Sequence, residues 1–311
     1  FDLARENPQV AQQAFALRTS GNRVAQLVTK RTVHPVSLAV GGFLCDYNDK
    51  DMQELSKLAI SIKEMIVDEL TSLDPVHKPN LDYRFPDNQV INFLSYHENA
   101  GEKYLQVTNR QGDLIEQFAP HEFEEHVAEL RVDWSYAKIP YLKSRGFPEG
   151  MLMVGPLARF CSNNGYRSDQ LMNNFSVFDS LRNPENWSLA DFDRCRLLEI
   201  YWAADEILRL IDTIDLSQVG QPAINCNSSG QGVGIIEAPR GVLIHSYLVK
   251  QGKIERMKLL VATQFNNAYI NMFLRALLEN DVDGETLKPS GHEKADRCLR
   301  LFDPCLTCAT H

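Results

Sequence analysis

Along this chain apolar residues recur three and four apart in some stretches and two apart in others, and that alternation divides it into elements. Asn7-Pro8 opens the first helical stretch, with Asn as cap and Pro at the first helical position, and the stretch runs to Thr29. Arg31-Thr32-Val33-His34-Pro35 breaks it, and Gly41-Gly42 marks a turn. From Asp49, read as the next cap, Leu55, Leu58, Ile62, Met65, Ile66 and Leu70 lie mostly three or four apart and draw one apolar face along a long helix. Tyr104–Thr108 and Leu114–Phe118 read as short strands around Asn109-Arg110-Gln111-Gly112. A short helix is predicted over His121–Leu130, while Tyr136–Gly150 shows no periodicity. Ser188 is the expected cap of a long helix reaching Ile214, with Leu197, Tyr201, Ala204 and Leu208 on one face.

Toward the C-terminus, Gln218–Gly234 reads as a turn-rich connector. Val242–Val249 and Ile254–Thr263 read as a hairpin about Lys250-Gln251-Gly252-Lys253. Helices are predicted over Asn266–Asn280 and His292–Phe302, the latter stopped by Asp303-Pro304. The class expected is mainly α, with a core of long packed helices and small antiparallel β-sheets. No internal repeat or low-complexity tract is present.

Bulk properties narrow the function classes. The 311 residues suffice for one large core or two smaller ones, and 44% hydrophobic with 23% charged residues is ordinary globular composition. A net charge of -9 argues against a general nucleic-acid binder, which needs clustered Lys and Arg. No apolar run reaches the roughly 18 residues of a membrane span. The chain opens Phe1-Asp2-Leu3, with neither Met nor a signal-peptide pattern, as a processed or truncated chain or a fragment would. Of seven cysteines, Cys45, Cys161, Cys195, Cys226 and Cys298 are scattered and read as small buried hydrophobes, which favours a reducing compartment.

The chemistry concentrates near the C-terminus. In Asp303-Pro304-Cys305-Leu306-Thr307-Cys308-Ala309-Thr310-His311, two cysteines three apart can converge on one metal. By itself the C-x-x-C leaves a zinc site, another soft-metal site or a redox pair open. Upstream, Gly232–His245 is a poor dinucleotide loop, because Pro239 and a strand follow the glycines where a helix is required. With the hairpin turn centred between Gln251 and Gly252, Arg240 is expected opposite Thr263 at the open end of the ladder, close to the start of the next helix. A cation and a hydroxyl side by side, facing a thiolate-bound metal, suit an anionic metal ligand.

These residues resemble the large subunit of NiFe-hydrogenases. The resemblance rests on Glu237-Ala238-Pro239-Arg240-Gly241 with His245, and on the terminal Asp-Pro-Cys-x-x-Cys-x-x-His pattern from Asp303 to His311. Softer matches span most of the chain, among them residues 1–8, His34-Pro35 through Gly41-Gly42, Pro148–Arg159 and Asn266-Asn267-Ala268 with Asn271. They resemble the cytoplasmic, bidirectional NAD(P)-linked branch more than the membrane-bound uptake branch.

The resemblance implies reversible, heterolytic cleavage of H2. Cys305 is implied as a terminal nickel ligand and as the base, and Cys308 as the bridge between nickel and iron. The iron carries cyanide and carbon monoxide, and the buried anions need donors; Arg240 and Thr263 suit that role, Pro239 lines the pocket, and Asp303 holds Arg240. His311 is implied as a ligand of magnesium (or iron), with the Leu259 carbonyl as a second. Electrons pass to iron–sulfur clusters on a small subunit, then onward to diaphorase subunits. Residues 1–311 are expected to be the C-terminal part of a single large subunit. The family's N-terminal C-x-x-C is absent from them, so half the thiolates are present.

Three other readings compete. The related quinone-reducing subunit of respiratory complex I lacks the two cysteines. An H2-sensing regulatory subunit would share the pocket. A zinc-stabilised structural protein would explain the C-x-x-C and leave Arg240 unexplained. His34 and His245 are read as packed or supporting residues, and Glu237 as the partner of an arginine.

Overall fold

The structure, a computed structural model, describes residues 8–35, 37–39, 42–73, 84–85, 90–99, 101–162, 169–216, 229–284 and 286–310. The cap expected at Asn7, the thiol of Cys226 and the imidazole of His311 lie outside them. The helices among the described residues are α1 (Pro8–Thr29), α2 (Asp49–Leu73), α3 (Phe123–His126), α4 (Pro156–Cys161), α5 (Asp169–Asn174), α6 (Asp191–Thr213), α7 (Ala262–Leu278), α8 (Pro289–Phe302) and α9 (Leu306–Ala309). No helix among the described residues is long and apolar enough to cross a membrane. The chain divides into two compact units, residues 1–77, 168–177 and 197–226 in one and residues 78–167, 178–196 and 227–311 in the other.

The first unit is helical. Leu55, Ala59, Ile62, Ile66 and Leu70 form the buried stripe of α2, as the spacing predicts. Ala59 and Ile62 pack with Ala204 of α6 and with Leu17 and Val24 of α1. The cap of α2 is Asn48 rather than Asp49: its side-chain oxygen accepts from the backbone N–H of Lys50 at 2.9 Å and of Asp51 at 3.2 Å. Asp49 is instead the first helical residue, where a carboxylate favours the helix dipole. Two short strands, β1 (Leu38–Ala39) and β2 (Gly42–Phe43), pair between α1 and α2.

The second unit carries most of the sheet structure. Strands β3 (Asn92–Asn99), β4 (Glu102–Thr108), β5 (Leu114–Phe118) and β8 (Leu152–Met153) form one sheet in the order β5-β4-β3-β8, with β8 parallel to β3 and the others antiparallel. Strands β6 (Val127–Val132) and β7 (Ser135–Leu142) form a separate hairpin. The helix predicted to Leu130 ends at His126, and the stretch from Tyr136, which lacks periodicity, is in strand as far as Leu142. The cause is packing: in β7 Ala137 and Ile139 are buried on one face and Pro140 and Leu142 on the other, so the two-residue alternation breaks after Ile139.

Helix α6 starts at Asp191, not next to Ser188. Ser188–Ala190 form a bridge and turn, and the Asp191 carboxylate accepts from the Ser188 N–H at 2.7 Å while pairing with buried Arg194 at 2.8 Å.

Three further strands, β9 (Gly230–Ala238), β10 (Gly241–Lys250) and β11 (Lys253–Leu260), form an antiparallel sheet with β10 in the middle. The expected connector therefore becomes strand from Gly230 onward. Val242, Ile244 and Leu260 of this sheet pack into one core with Leu94, Leu105 and Val107 of the four-stranded sheet, Val127 and Leu142 of the hairpin, and Phe265 of α7. Strands β12 (Val282–Asp283) and β13 (Thr286–Leu287) pair between α7 and α8. Cys161, Cys195 and Cys298 are buried, and Cys45 is partly buried.

Candidate metal centre

The predicted hairpin exists, but its register differs from the symmetric one. Lys250 pairs with Lys253 and Val249 with Ile254; a β-bulge beyond Val249 then shifts the ladder by one, so Leu248 faces Arg256 and Ile244 faces Leu260. The ladder ends there. Arg240 is not on it: with Pro239 it forms the two-residue turn joining β9 to β10, flanked by the Ala238–Gly241 pair. Thr263 is not on it either, since the chain turns into α7 at Ala262, capped by the Gln264 side chain, which accepts from the Val261 N–H at 2.9 Å. The expected face-to-face pairing of Arg240 and Thr263 across two strands is thus overturned.

The two residues nevertheless reach one cavity. Its volume is about 400 Å³, and Pro239, Arg240, Leu243, Leu259, Thr263, Cys305 and Cys308 are among the residues lining it. The terminal segment is moored to α7, where the Cys305 N–H donates to Thr263 Oγ1 at 2.9 Å. Thr263 is buried, and in the first turn of α7 it has no carbonyl of its own helix four residues back. Its hydroxyl, having accepted from Cys305, keeps a proton to donate.

Asp303 is the left-handed cap of α8, with φ of 48°. That conformation turns both its carbonyl and its carboxylate toward Arg240. Arg240 Nε donates to the Asp303 carbonyl oxygen, and the guanidinium pairs with the carboxylate at 2.8 Å. The pair is open to solvent, 42% and 57% exposed, so it orients the arginine more than it stabilises the fold.

Cys305 and Cys308 bracket the first turn of α9, with Cα atoms 5.4 Å apart and their sulfurs joined as a disulfide in this structure. Two thiols that can touch can, when reduced, also share one metal. Among the described residues no group of three or more His, Cys, Asp or Glu side chains is placed to hold a metal. The polar groups lining this cavity are two soft sulfurs, the His245 imidazole, one guanidinium cation and one hydroxyl. That chemistry fits nickel and iron with small anionic ligands better than it fits a hard cation.

The model of the family described as nickel-dependent hydrogenase matches residues 88–311. The chain belongs to this family.

Among relatives, it is 27% identical to an F420-non-reducing hydrogenase chain of Methanothermobacter thermautotrophicus, over the whole of this chain and 67% of that protein. It is also 27% identical to the beta chain of the NAD-reducing hydrogenase HoxS of Cupriavidus necator, over 99% of this chain and 67% of that one. Among solved structures, an NAD+-reducing NiFe-hydrogenase in the H2-reduced state superposes with a TM-score of 0.86 and 26% identity, covering all of this chain and 71% of the other. A Ni-Fe-Se hydrogenase from D. vulgaris Hildenborough shares the fold, with a TM-score of 0.70 at 21% identity, over 97% of this chain and 70% of the other. The large-subunit fold and the hydrogenase class expected from the sequence are therefore established, and the zinc-stabilised structural alternative falls away.

For this hydrogenase chain, sequence reasoning found the residues at the cavity and missed those that hold them. Glu237 does pair with an arginine: Arg159 of α4, buried, at 2.9 Å. Asn266 of α7 accepts from the Val154 N–H at 2.9 Å and donates to the Val154 carbonyl at 3.2 Å. Asn92 donates to the Glu149 and Met151 carbonyls, and the Tyr269 hydroxyl also donates to Met151. Burial pushes the Tyr269 phenol well above its ordinary range, so it acts as a neutral donor. These residues fix the 149–154 segment, which includes β8 and leads into the Val154-Gly155 backbone lying against the Pro239-Arg240-Gly241 turn. Their only trace in the sequence is the pair of softer matches in which Arg159 and Asn266 stand. His34 is exposed, and the His245 ring lies 3.1 Å from the Tyr247 hydroxyl.

Proposed function

We propose that residues 1–311 are the C-terminal part of the catalytic large subunit of a cytoplasmic, NAD(P)-linked NiFe-hydrogenase. It would work with a small subunit bearing iron–sulfur clusters and with diaphorase subunits. The reading is carried by one observation: Cys305, Cys308, Arg240, Pro239 and Thr263 line a single cavity in a chain of this family.

Cys305 and Cys308 would both hold the nickel–iron centre through their sulfurs. No second C-x-x-C occurs within these residues, so the other two thiolates of a four-thiolate set come from sequence outside them. When bound, the centre supplies the Lewis-acid and redox chemistry for splitting H2 into two protons and two electrons. Arg240, steadied by Asp303, presents its remaining N–H groups to the cavity, and Thr263 adds its hydroxyl proton; together they neutralise small anionic ligands held there. Pro239 and Leu243 supply apolar wall. The Cys305 sulfur takes up the proton. His311 and the Leu259 carbonyl are the proposed ligands of magnesium (or iron).

The test is nickel content and H2-dependent reduction of NAD+ and of an artificial acceptor by the full complex carrying Cys305→Ser or Arg240→Lys. Cys305→Ser should lose nickel. Arg240→Lys should retain nickel and lose roughly 100-fold in turnover, the usual effect of deleting one preorganised donor. Zinc in place of nickel, with no H2 turnover in the unmutated complex, would overturn the reading. Slow dye reduction without NAD+ reduction would favour the H2-sensing alternative.

A further inference from the structure

The turn that carries Arg240 has little to hold it from within. Pro239 has no N–H to donate, and the turn is two residues long. What grips it lies below. Arg159 is 3% exposed, and its guanidinium donates to Glu237 at 2.9 Å, to the Ala238 carbonyl at 3.0 Å and to the Pro239 carbonyl at 3.1 Å. Glu237 is fixed in turn, accepting from the Tyr96 N–H of β3 at 2.8 Å. From the other side Gly155, at φ +109°, leaves its Cβ position empty, and an atom there would stand 2.9 Å from the Arg240 carbonyl oxygen. The backbone on both sides of the turn is thus pinned to α4 and the loop before it.

We infer that Arg159 is the positioning residue for Arg240: its planar fork sets where the turn sits, and so where the Arg240 guanidinium enters the cavity. The inference rests on the hydrogenase reading for its functional half, and on geometry alone for its structural half. Three acceptors from three successive residues, Glu237, Ala238 and Pro239, meet one guanidinium. A lysine keeps the charge but lacks the fixed fork that reaches a carboxylate and two carbonyls at once.

The experiment uses the full hydrogenase complex with Arg159→Lys, Arg240→Lys and both together. It measures amide hydrogen exchange, nickel content, and the KM and kcat of H2 oxidation. In Arg159→Lys, amides of residues 240–243 should exchange on the order of 10-fold faster, as expected for a lost hydrogen bond, while β3 and β4 keep their protection. Nickel content and KM should hold, and kcat should fall by roughly 10- to 100-fold, the scale of an ångström-level misplacement. The double variant should be little worse than Arg240→Lys alone, because the two act as a unit. Unchanged kcat, additive losses, or exchange that rises evenly through β3 and β4 would overturn the inference. Should Arg159→Lys fail to assemble, Gly155→Ala disturbs the same turn from the opposite side and must give the same split between kcat and KM. If the unmutated complex binds no nickel, the hydrogenase reading fails, and the local exchange still decides whether Arg159 holds the turn.

Discussion

Gly241→Ala tests the close approach on which the site is built. Gly241 sits at φ +131°, directly after the Pro239-Arg240 turn, and a Cβ there would lie 2.4 Å from Val154 Cγ2, 2.7 Å from Val154 Cβ and 2.8 Å from the Gly155 nitrogen. Two costs combine. An alanine forced into that backbone region costs about 1–3 kcal/mol, and overpacking against a β-branched side chain and a backbone atom costs about 1–3 kcal/mol more. The expected loss, roughly 2–6 kcal/mol, is a large share of a typical unfolding free energy. It should lower the unfolding midpoint by on the order of 10 °C. Gly232→Ala is the control, because Gly232 has open space at its Cβ position; its change should stay within about 0.5 kcal/mol. Adding Val154→Ala to Gly241→Ala removes the nearest overlap and leaves the contacts at 2.7 and 2.8 Å, so it should restore only part of the loss. The assay is thermal unfolding followed by circular dichroism at matched concentration. If Gly241→Ala unfolds with Gly232→Ala, the turn does not lie on Val154 and the account of how Arg240 is held is wrong.

Three further outcomes follow from the same contacts. Asn266→Ala leaves the Val154 N–H and carbonyl buried without that partner, about 1–3 kcal/mol for each group, which chemical denaturation of the variant would register. Under reducing, metal-free conditions a maleimide should modify Cys45, Cys305 and Cys308 well before Cys298, whose thiol is buried and pushed up to about 12 by desolvation. A raised thiol pKa favours the fold at and below the ordinary thiol range, and that contribution disappears as pH climbs toward 12. Asp281 is held below its usual range, first by Lys294 and then by Ser290. Its contribution is therefore present above the ordinary carboxylate range and lost as pH falls through the lowered value, so Lys294→Met should flatten the acid side of the stability–pH profile.

Local pattern made much of this protein legible. The stripe on α2, the β4–β5 hairpin about Asn109, the β10–β11 hairpin and the stop at Asp303-Pro304 were each readable, because periodicity and turn chemistry act over a few residues. So were the residues at the cavity, since cysteine spacing and the Glu237–Gly241 run are sequence properties. Where several sheets share one core the pattern was not readable: β7 buries Ala137 and Ile139 on one face and Pro140 and Leu142 on the other, and its alternation breaks.

The chain by itself determined which chemical groups the site owns: two sulfurs, a guanidinium, a hydroxyl and a carboxylate at known positions. Tertiary structure decided how they meet. A bulge at Leu248 and Val249 undid the symmetric register, and the early start of α7 took Thr263 off the strand. What restored the meeting was long-range: Thr263 reaching the Cys305 N–H across 42 residues of chain, and Arg159 reaching Glu237 across 78. Hydrogen bonds of that separation carry no periodic signature, because each depends on where two rigid elements come to rest against a common core.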